Sequence, residues 1–102
     1  MQDMSELLRQ AQAMQAKMSQ IQDELGRRSV SASSGGGMVT VACNGKQEVL
    51  RIGIDKSIIS PDDAEMLEDL VLTAVNESLR LSRELAAKEM SVLAGGLGLP
   101  GL

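Results

Sequence analysis

The 102-residue chain contains no phenylalanine, tyrosine, tryptophan or histidine, and it has a single cysteine. Without aromatic side chains there is no platform on which unpaired bases could stack, which disfavours single-stranded nucleic acid as a ligand. Without histidine, and with only Cys43, the chain lacks the usual groups of hydrolytic enzymes and of multi-cysteine metal sites. We therefore expect no enzyme and no cofactor or metal site, and we interpret Cys43 as a small buried residue of a strand.

The chain also lacks a long apolar run. No segment approaches the length of a membrane span, and the first residues show neither the basic nor the apolar part of a secretory signal. We expect a cytoplasmic protein without a membrane partner. Its length predicts one domain over residues 1–94, with a flexible Gly/Leu/Pro tail over 95–102.

The net charge of −4 is unevenly distributed. Residues 1–28 sum to zero, residues 29–60 to +1, and residues 61–102 to −5. Five of the acidic residues lie between Asp62 and Asp69. Because the acidity is local, basic surface elsewhere in the chain remains compatible with an anionic partner.

Two alternating runs flank Asn44-Gly45, a dipeptide typical of two-residue type I′ hairpin turns. Such a turn would place Cys43 opposite Lys46, Val41 opposite Glu48 and Val39 opposite Leu50. One apolar face then contains six residues that favour burial: Val39, Val41, Cys43, Leu50, Ile52 and Ile54. Before the hairpin, a weaker alternation over 27–33 predicts another strand, and Gly35–Gly37 a flexible connection.

The first helix is predicted over Asp3–Leu25, with Gly26 as its C-cap. Its apolar residues alternate steps of three and four, which is a heptad stripe and implies a partner helix. The stripe contains Met4, Leu7, Ala11, Met14, Met18, Ile21 and Leu25. Its outer face carries several glutamines beside Arg9 and Lys17.

A second long helix is predicted to begin after Ser60, a good N-cap, with Pro61 at its first position. The acidic cluster over 62–69 complements the positive end of that helix, an explanation we prefer to metal binding because the spacing of a calcium loop is lacking. Farther along, Arg80 and Glu84, and Glu84 and Lys88, are spaced as i,i+4 pairs. This half is predicted to project and to end near Gly95-Gly96.

Together these features resemble the YbaB/EbfC family of bacterial nucleoid-associated proteins over essentially the whole chain. The most specific matches are Gly35–Gly37 with Val39 and Val41, Asn44-Gly45-Lys46, and Glu65-Met-Leu-Glu-Asp-Leu70. The resemblance implies an α+β fold with an α-β-β-β-α protomer, a small antiparallel sheet and a tweezer-like homodimer. It also implies binding to double-stranded DNA in the nucleoid without catalysis, and a link to recombination or replication proteins.

The residues that would contact DNA phosphates are our own inference from charge and helical position. They are Arg9, Lys17, Arg27, Arg28, Arg80, Arg83 and Lys88. For any one of them, a solvated face with salt bridges is the competing interpretation. A second hypothesis is a dimeric adaptor that recruits another protein through the heptad stripe and the acidic patch. In either case the hairpin is expected to serve as a platform and the helices to carry the function.

Overall fold

The computed structural model describes residues 3–96, which form a helix, three strands and a second helix. The elements are α1 (Met4–Arg27), β1 (Ser29–Ser34), β2 (Val39–Asn44), β3 (Val49–Ile54) and α2 (Ala64–Gly96). The predicted α+β, α-β-β-β-α architecture is confirmed. The structure continues α2 to Gly96, so all but the start of the predicted tail lies outside the described residues. No helix within this range is long and apolar enough to cross a membrane.

The sheet is antiparallel with β2 at its centre, and α2 packs across β1 and β2. Val39, Val41 and Cys43 are fully buried on the covered face, together with Ala74 of α2. The sulfur of Cys43 lies 2.9 Å from the hydroxyl oxygen of Ser78. The predicted core face of β2 and the buried cysteine are therefore confirmed.

The predicted hairpin register is wrong. Val41 pairs with Ile52 and Val39 with Ile54, four residues farther along β3 than a two-residue turn would place them. Neither Asn44 nor Gly45 has a positive φ. The positive φ falls instead on Gln47, at 61°. Leu50 and Ile52, which we expected to be buried, are 58% and 46% exposed.

The side chain of Asn44 explains the wider turn. Its Oδ1 accepts hydrogen bonds from the amides of Lys46, at 2.9 Å, and Glu48, at 3.1 Å. Its Nδ2 donates to Oε1 of Glu48. An asparagine side chain that bonds amides two and four residues ahead stabilises a loop over 45–48 that competes with the tight turn.

Gly45 is required by close packing rather than by backbone conformation. Its amide donates to the carbonyl of Leu25 at 2.8 Å and to that of Arg28 at 3.2 Å. A Cβ at position 45 would lie 2.8 Å from the Leu25 carbonyl oxygen. The backbones of α1 and the hairpin turn are therefore in direct contact at this point, and no side chain fits between them.

The C-cap of α1 also differs from the prediction, because the helix runs through Gly26 and is capped by Arg28 in an extended conformation. The Cδ of Lys46 lies 3.2 Å from where a Cβ on Gly26 would stand. Gly26 thus makes room for a lysine of the turn. The predicted cap at Ser60 is confirmed, since its hydroxyl accepts from the amide of Asp62, although the first turn is a 3₁₀ helix over Pro61–Asp63.

We expect Gly45→Ala to lower the free energy of unfolding by about 1–3 kcal/mol, because the added methyl meets backbone and cannot be relieved by a rotamer change. Urea denaturation at fixed protein concentration measures the effect. Gly53→Ala is the control, since the nearest atom to its new Cβ lies 3.9 Å away. Equal stabilities of the two variants would contradict the close approach.

Candidate nucleic-acid interface

The hairpin turn is the place where both helices meet the sheet. Ser82, buried in the middle of α2, donates its hydroxyl to the carbonyl of Asn44 at 2.7 Å and accepts the amide of Gln47 at 2.9 Å. On the other side, the amide of Gly45 bonds to the last carbonyls of α1. These contacts hold the end of α1, the turn and the middle of α2 together.

Three exposed cations from three different elements flank this junction. Arg27 ends α1, Lys46 lies in the turn, and Arg83 follows Ser82 on α2. Within residues 3–96, no carboxylate forms an ion pair with any of the three. We call Arg27, Lys46 and Arg83 the turn cluster. Their side chains are available to bind an external anion.

Sequence reasoning did not assign Lys46 to the site. The residue follows Asn-Gly in a hairpin whose sequence predicts a structural role, and no local pattern links it to α1. The structure brings it beside Gly26, one residue before Arg27. The glycine at position 26 is the one sequence feature that relates to this contact. It could not be interpreted from the sequence, because Lys46, which packs against it, is twenty residues away.

Arg28 is engaged within the protein. Its guanidinium donates to Oε1 of Glu89 at 2.6 Å, and its side chain is 51% exposed. The pair joins the C-terminal end of α1 to the distal half of α2. Arg28 therefore has a structural partner that competes with any phosphate.

Arg80 is held by two carboxylates of its own helix. Its guanidinium forms a bidentate pair with Glu77 and a further hydrogen bond, 2.6 Å long, with Oε1 of Glu84. The hydrogen bonds from Arg80 lower the pKa of Glu77, and the two carboxylates raise the pKa of Arg80. With its pKa lowered, Glu77 stays ionised at neutral pH, and Arg80 bonds to both Glu77 and Glu84, so the charge of Arg80 is largely compensated locally.

The remaining predicted residues are not brought to the turn cluster. A guanidinium nitrogen of Arg9 lies 3.6 Å from a carboxylate oxygen of Glu6. Arg9 is also about 27 Å from Arg27 along the axis of α1. Lys17 lines a cleft between α1 and α2 that also contains acidic side chains. Lys88 is exposed on α2 without an ion pair among the described residues, because Glu84 pairs with Arg80 and not, as its spacing also allowed, with Lys88.

The acidic residues occupy the opposite end of the sheet. The carbonyl of Leu70 accepts the hydroxyl of Ser34, and its side chain packs against Gly35 in the turn between β1 and β2. Asp62–Asp69 therefore lies about 20 Å or more along α2 from Ser82. Within residues 3–96, no group of three potential ligands is arranged to hold a metal ion. The acidic cluster over 62–69 and the turn cluster therefore lie at opposite ends of the sheet.

A family model described as the YbaB/EbfC DNA-binding family matches residues 1–97. The chain belongs to the YbaB/EbfC family. A nucleoid-associated protein of Syntrophobacter fumaroxidans is 52% identical over 95 residues, which cover 93% of this chain and 86% of that protein. One from Desulforamulus reducens is 50% identical over 100 residues, covering 98% and 95%.

The fold of this YbaB/EbfC chain is also similar to a crystal structure of an uncharacterized protein, HP0035, from Helicobacter pylori. The TM-score is 0.74 at 26% identity, and the match covers 95% of this chain and 98% of the other. The predicted family is thus confirmed. The family is one of nucleoid-associated DNA-binding proteins.

Proposed function

We propose that the chain binds duplex DNA as a homodimer, mainly through phosphate contacts, and that the turn cluster is the principal contact. The observation that carries this proposal is the set of unpaired cations contributed by α1, the hairpin turn and α2 at one end of the sheet. The membership of the chain in a DNA-binding family supports the choice of ligand.

The chemistry of the exposed helix surface favours backbone contacts over base reading. Lysine and arginine bind phosphate oxygens without sequence information, and amide side chains add neutral hydrogen bonds. The outer surface of α1 presents five exposed glutamines: Gln10, Gln12, Gln15, Gln20 and Gln22. Arg9, Lys17 and Lys88 are proposed as secondary contacts. Arg9 must leave Glu6 to contribute, and Arg28 and Arg80 must likewise give up their carboxylate partners.

The acidic net charge sets the orientation of the complex. Because five of the fourteen acidic residues cluster over 62–69, DNA is repelled from that end and is approached best by the turn cluster. The acidic residues also stabilise the fold, because their carboxylates lie near the N-terminus of α2, where the helix dipole is positive.

The homodimer is proposed to form through β3 and the neighbouring face of α2. β3 is an edge strand that α2 leaves uncovered, and its apolar residues Val49, Leu50 and Ile52 are exposed. Beside it lies an almost entirely apolar groove of about 430 Å³. The groove is lined by Ile54, Leu67, Glu68, Val71, Leu72 and Val75. An uncovered apolar edge strand tends to pair with another chain. A second copy of this chain would cover both the edge of β3 and the apolar groove.

A dimer has two turn clusters and therefore six unpaired cations for one duplex. We propose that the dimer coats or bends DNA in the nucleoid. Its proposed role is in nucleoid organisation, gene regulation, or recombination and repair. Recombination or replication proteins are its proposed protein partners.

The phosphate mechanism is tested by mobility-shift titrations of random duplex DNA over a salt series. Each neutralised phosphate contributes a slope of about −0.9 in log affinity against log salt. Arg83→Ala removes one contact per protomer, so we expect the slope to fall in magnitude by about 1.8 per dimer.

Arg80→Ala is the matched control, because it removes the same charge from the same helix at a residue already paired with Glu77 and Glu84. We expect it to leave the slope nearly unchanged. An affinity that does not depend on salt, or equal slopes for the two variants, would overturn the proposed contact.

The dimer is tested with Leu72→Asp, which places a charge in the apolar groove. Leu72 is 59% exposed in the protomer, so its fold does not depend on this side chain, and we expect a folded monomer by sedimentation at micromolar concentration. Val92→Asp, at a 66% exposed position of the same helix away from the groove, should remain a dimer. A folded, dimeric Leu72→Asp variant would exclude this interface.

A further inference from the structure

The N-terminal half of α1 carries an apolar stripe that no described residue buries. Met4 is 79% exposed and Leu7 46%, and Leu8 beside the stripe is 60% exposed, whereas Leu25 at the other end of the helix is buried against the hairpin turn. The cleft between α1 and the described part of α2 is lined on the α1 side by Lys17, Gln20, Ile21 and Glu24, all nearer the C-terminal end of the helix than Met14. We call residues 3–17 the α1 arm. Its exposed stripe is not used by the dimer proposed above.

We infer that the α1 arm pairs with the same arm of a second dimer, as a short antiparallel coiled coil, and joins two dimers into a tetramer. The stripe has the heptad spacing of a coiled-coil seam, with Met4 and Ala11 at a positions and Leu7 and Met14 at d positions. Opposed arms then pack Met4 against Met14 and Leu7 against Ala11, each twice. The two-fold axis passes between the arms near Arg9.

Charge complementarity selects this register. Asp3 and Lys17 both occupy g positions, and in the antiparallel pair Asp3 of each arm lies beside Lys17 of the other. Oδ1 of Asp3 caps α1 by accepting the amide of Glu6, which leaves Oδ2 for the lysine. A register one heptad longer would place Asp3 beside Glu24, and a parallel pair would place it beside Leu8. Both alternatives lose the ion pairs, so the sequence favours one arrangement of two identical arms.

A second copy fits the stripe better than the end of the same chain. Residues 97–102 contain Pro100 and two glycines, the residue types of lowest helix propensity, whereas the arm itself has the heptad sequence of a coiled coil. Four seam layers make a contact smaller than a stable interface of about 1,200 Å² requires. The pairing is therefore weak in dilute solution, and it is reinforced where dimers are concentrated along DNA.

The geometry gives the tetramer a consequence that rests on the proposed DNA binding. Arg27 lies about 27 Å along α1 from the two-fold axis, so the paired arms separate two turn clusters by about 54 Å. This distance exceeds the width of one duplex. Two dimers joined in this way hold two duplexes side by side rather than clamping one.

The test is sedimentation equilibrium without DNA, at protein concentrations from micromolar to millimolar. We expect a dimer–tetramer equilibrium for the wild-type protein. Asp3→Lys and Lys17→Asp should each weaken tetramer formation by roughly tenfold, because two attractive pairs become repulsive. The double variant, Asp3→Lys with Lys17→Asp, should restore it.

Lys17→Asp leaves the helix cap intact and so separates pairing from fraying of α1. Gln12→Lys, which adds a charge at a b position outside the seam, is the control and should assemble like the wild type. A wild-type dimer that never forms tetramers, a Lys17→Asp variant that assembles like the wild type, or tetramers that form only after residues 97–102 are removed would each overturn the inference. Because no DNA is present, these outcomes are independent of the salt-slope test of DNA binding.

Discussion

The hydroxyl of Ser82 and the amide of Gly45 hold the hairpin turn between the two helices, and the rest of the candidate site depends on that junction. The hydroxyl is buried, donates to Asn44 and accepts from Gln47, while the amide reaches the Leu25 carbonyl. A buried hydroxyl with both functions satisfied fixes its neighbours because any displacement leaves unpaired polar groups. Three elements that are distant in sequence are thereby held at one end of the sheet.

At this junction a protein of acidic net charge exposes three cations without ion pairs among the described residues. The five acids over 62–69 lie at the start of α2, whereas the turn cluster lies at the junction. Ion pairing within the protein distinguishes two groups of basic residues. Arg28 and Arg80 have carboxylate partners. The turn cluster has none within residues 3–96. The distribution of unpaired charge, rather than the net charge, determines where a polyanion can approach.

Local patterns in the sequence were sufficient for the order of elements, the buried face of β2 and the cap at Ser60, because each depends on periodicity or on a neighbouring amide. The hairpin register was not accessible in this way. Asn44-Gly45 favours a two-residue turn locally, but the Asn44 side chain and the contact of Gly45 with Leu25 select a wider one. Tertiary contacts therefore overrode a strong local preference.

The same distinction applies to the candidate site. Arg27 and Arg83 could be named from charge and helical position, and the i,i+4 spacing anticipated the pair of Arg80 with Glu84. Lys46 could not, because it joins the site only through packing against Gly26. The pairing of Arg28 with Glu89, sixty-one residues away, was equally beyond any local rule.

The most direct measurement is amide chemical-shift mapping by NMR during titration with a short duplex. If the junction places the DNA-binding surface, the largest shifts will fall on residues 26–28, 45–48 and 80–84, with little change over 62–72. Shifts concentrated over 62–72, or confined to residues 4–14 with none at the hairpin turn, would contradict the central claim.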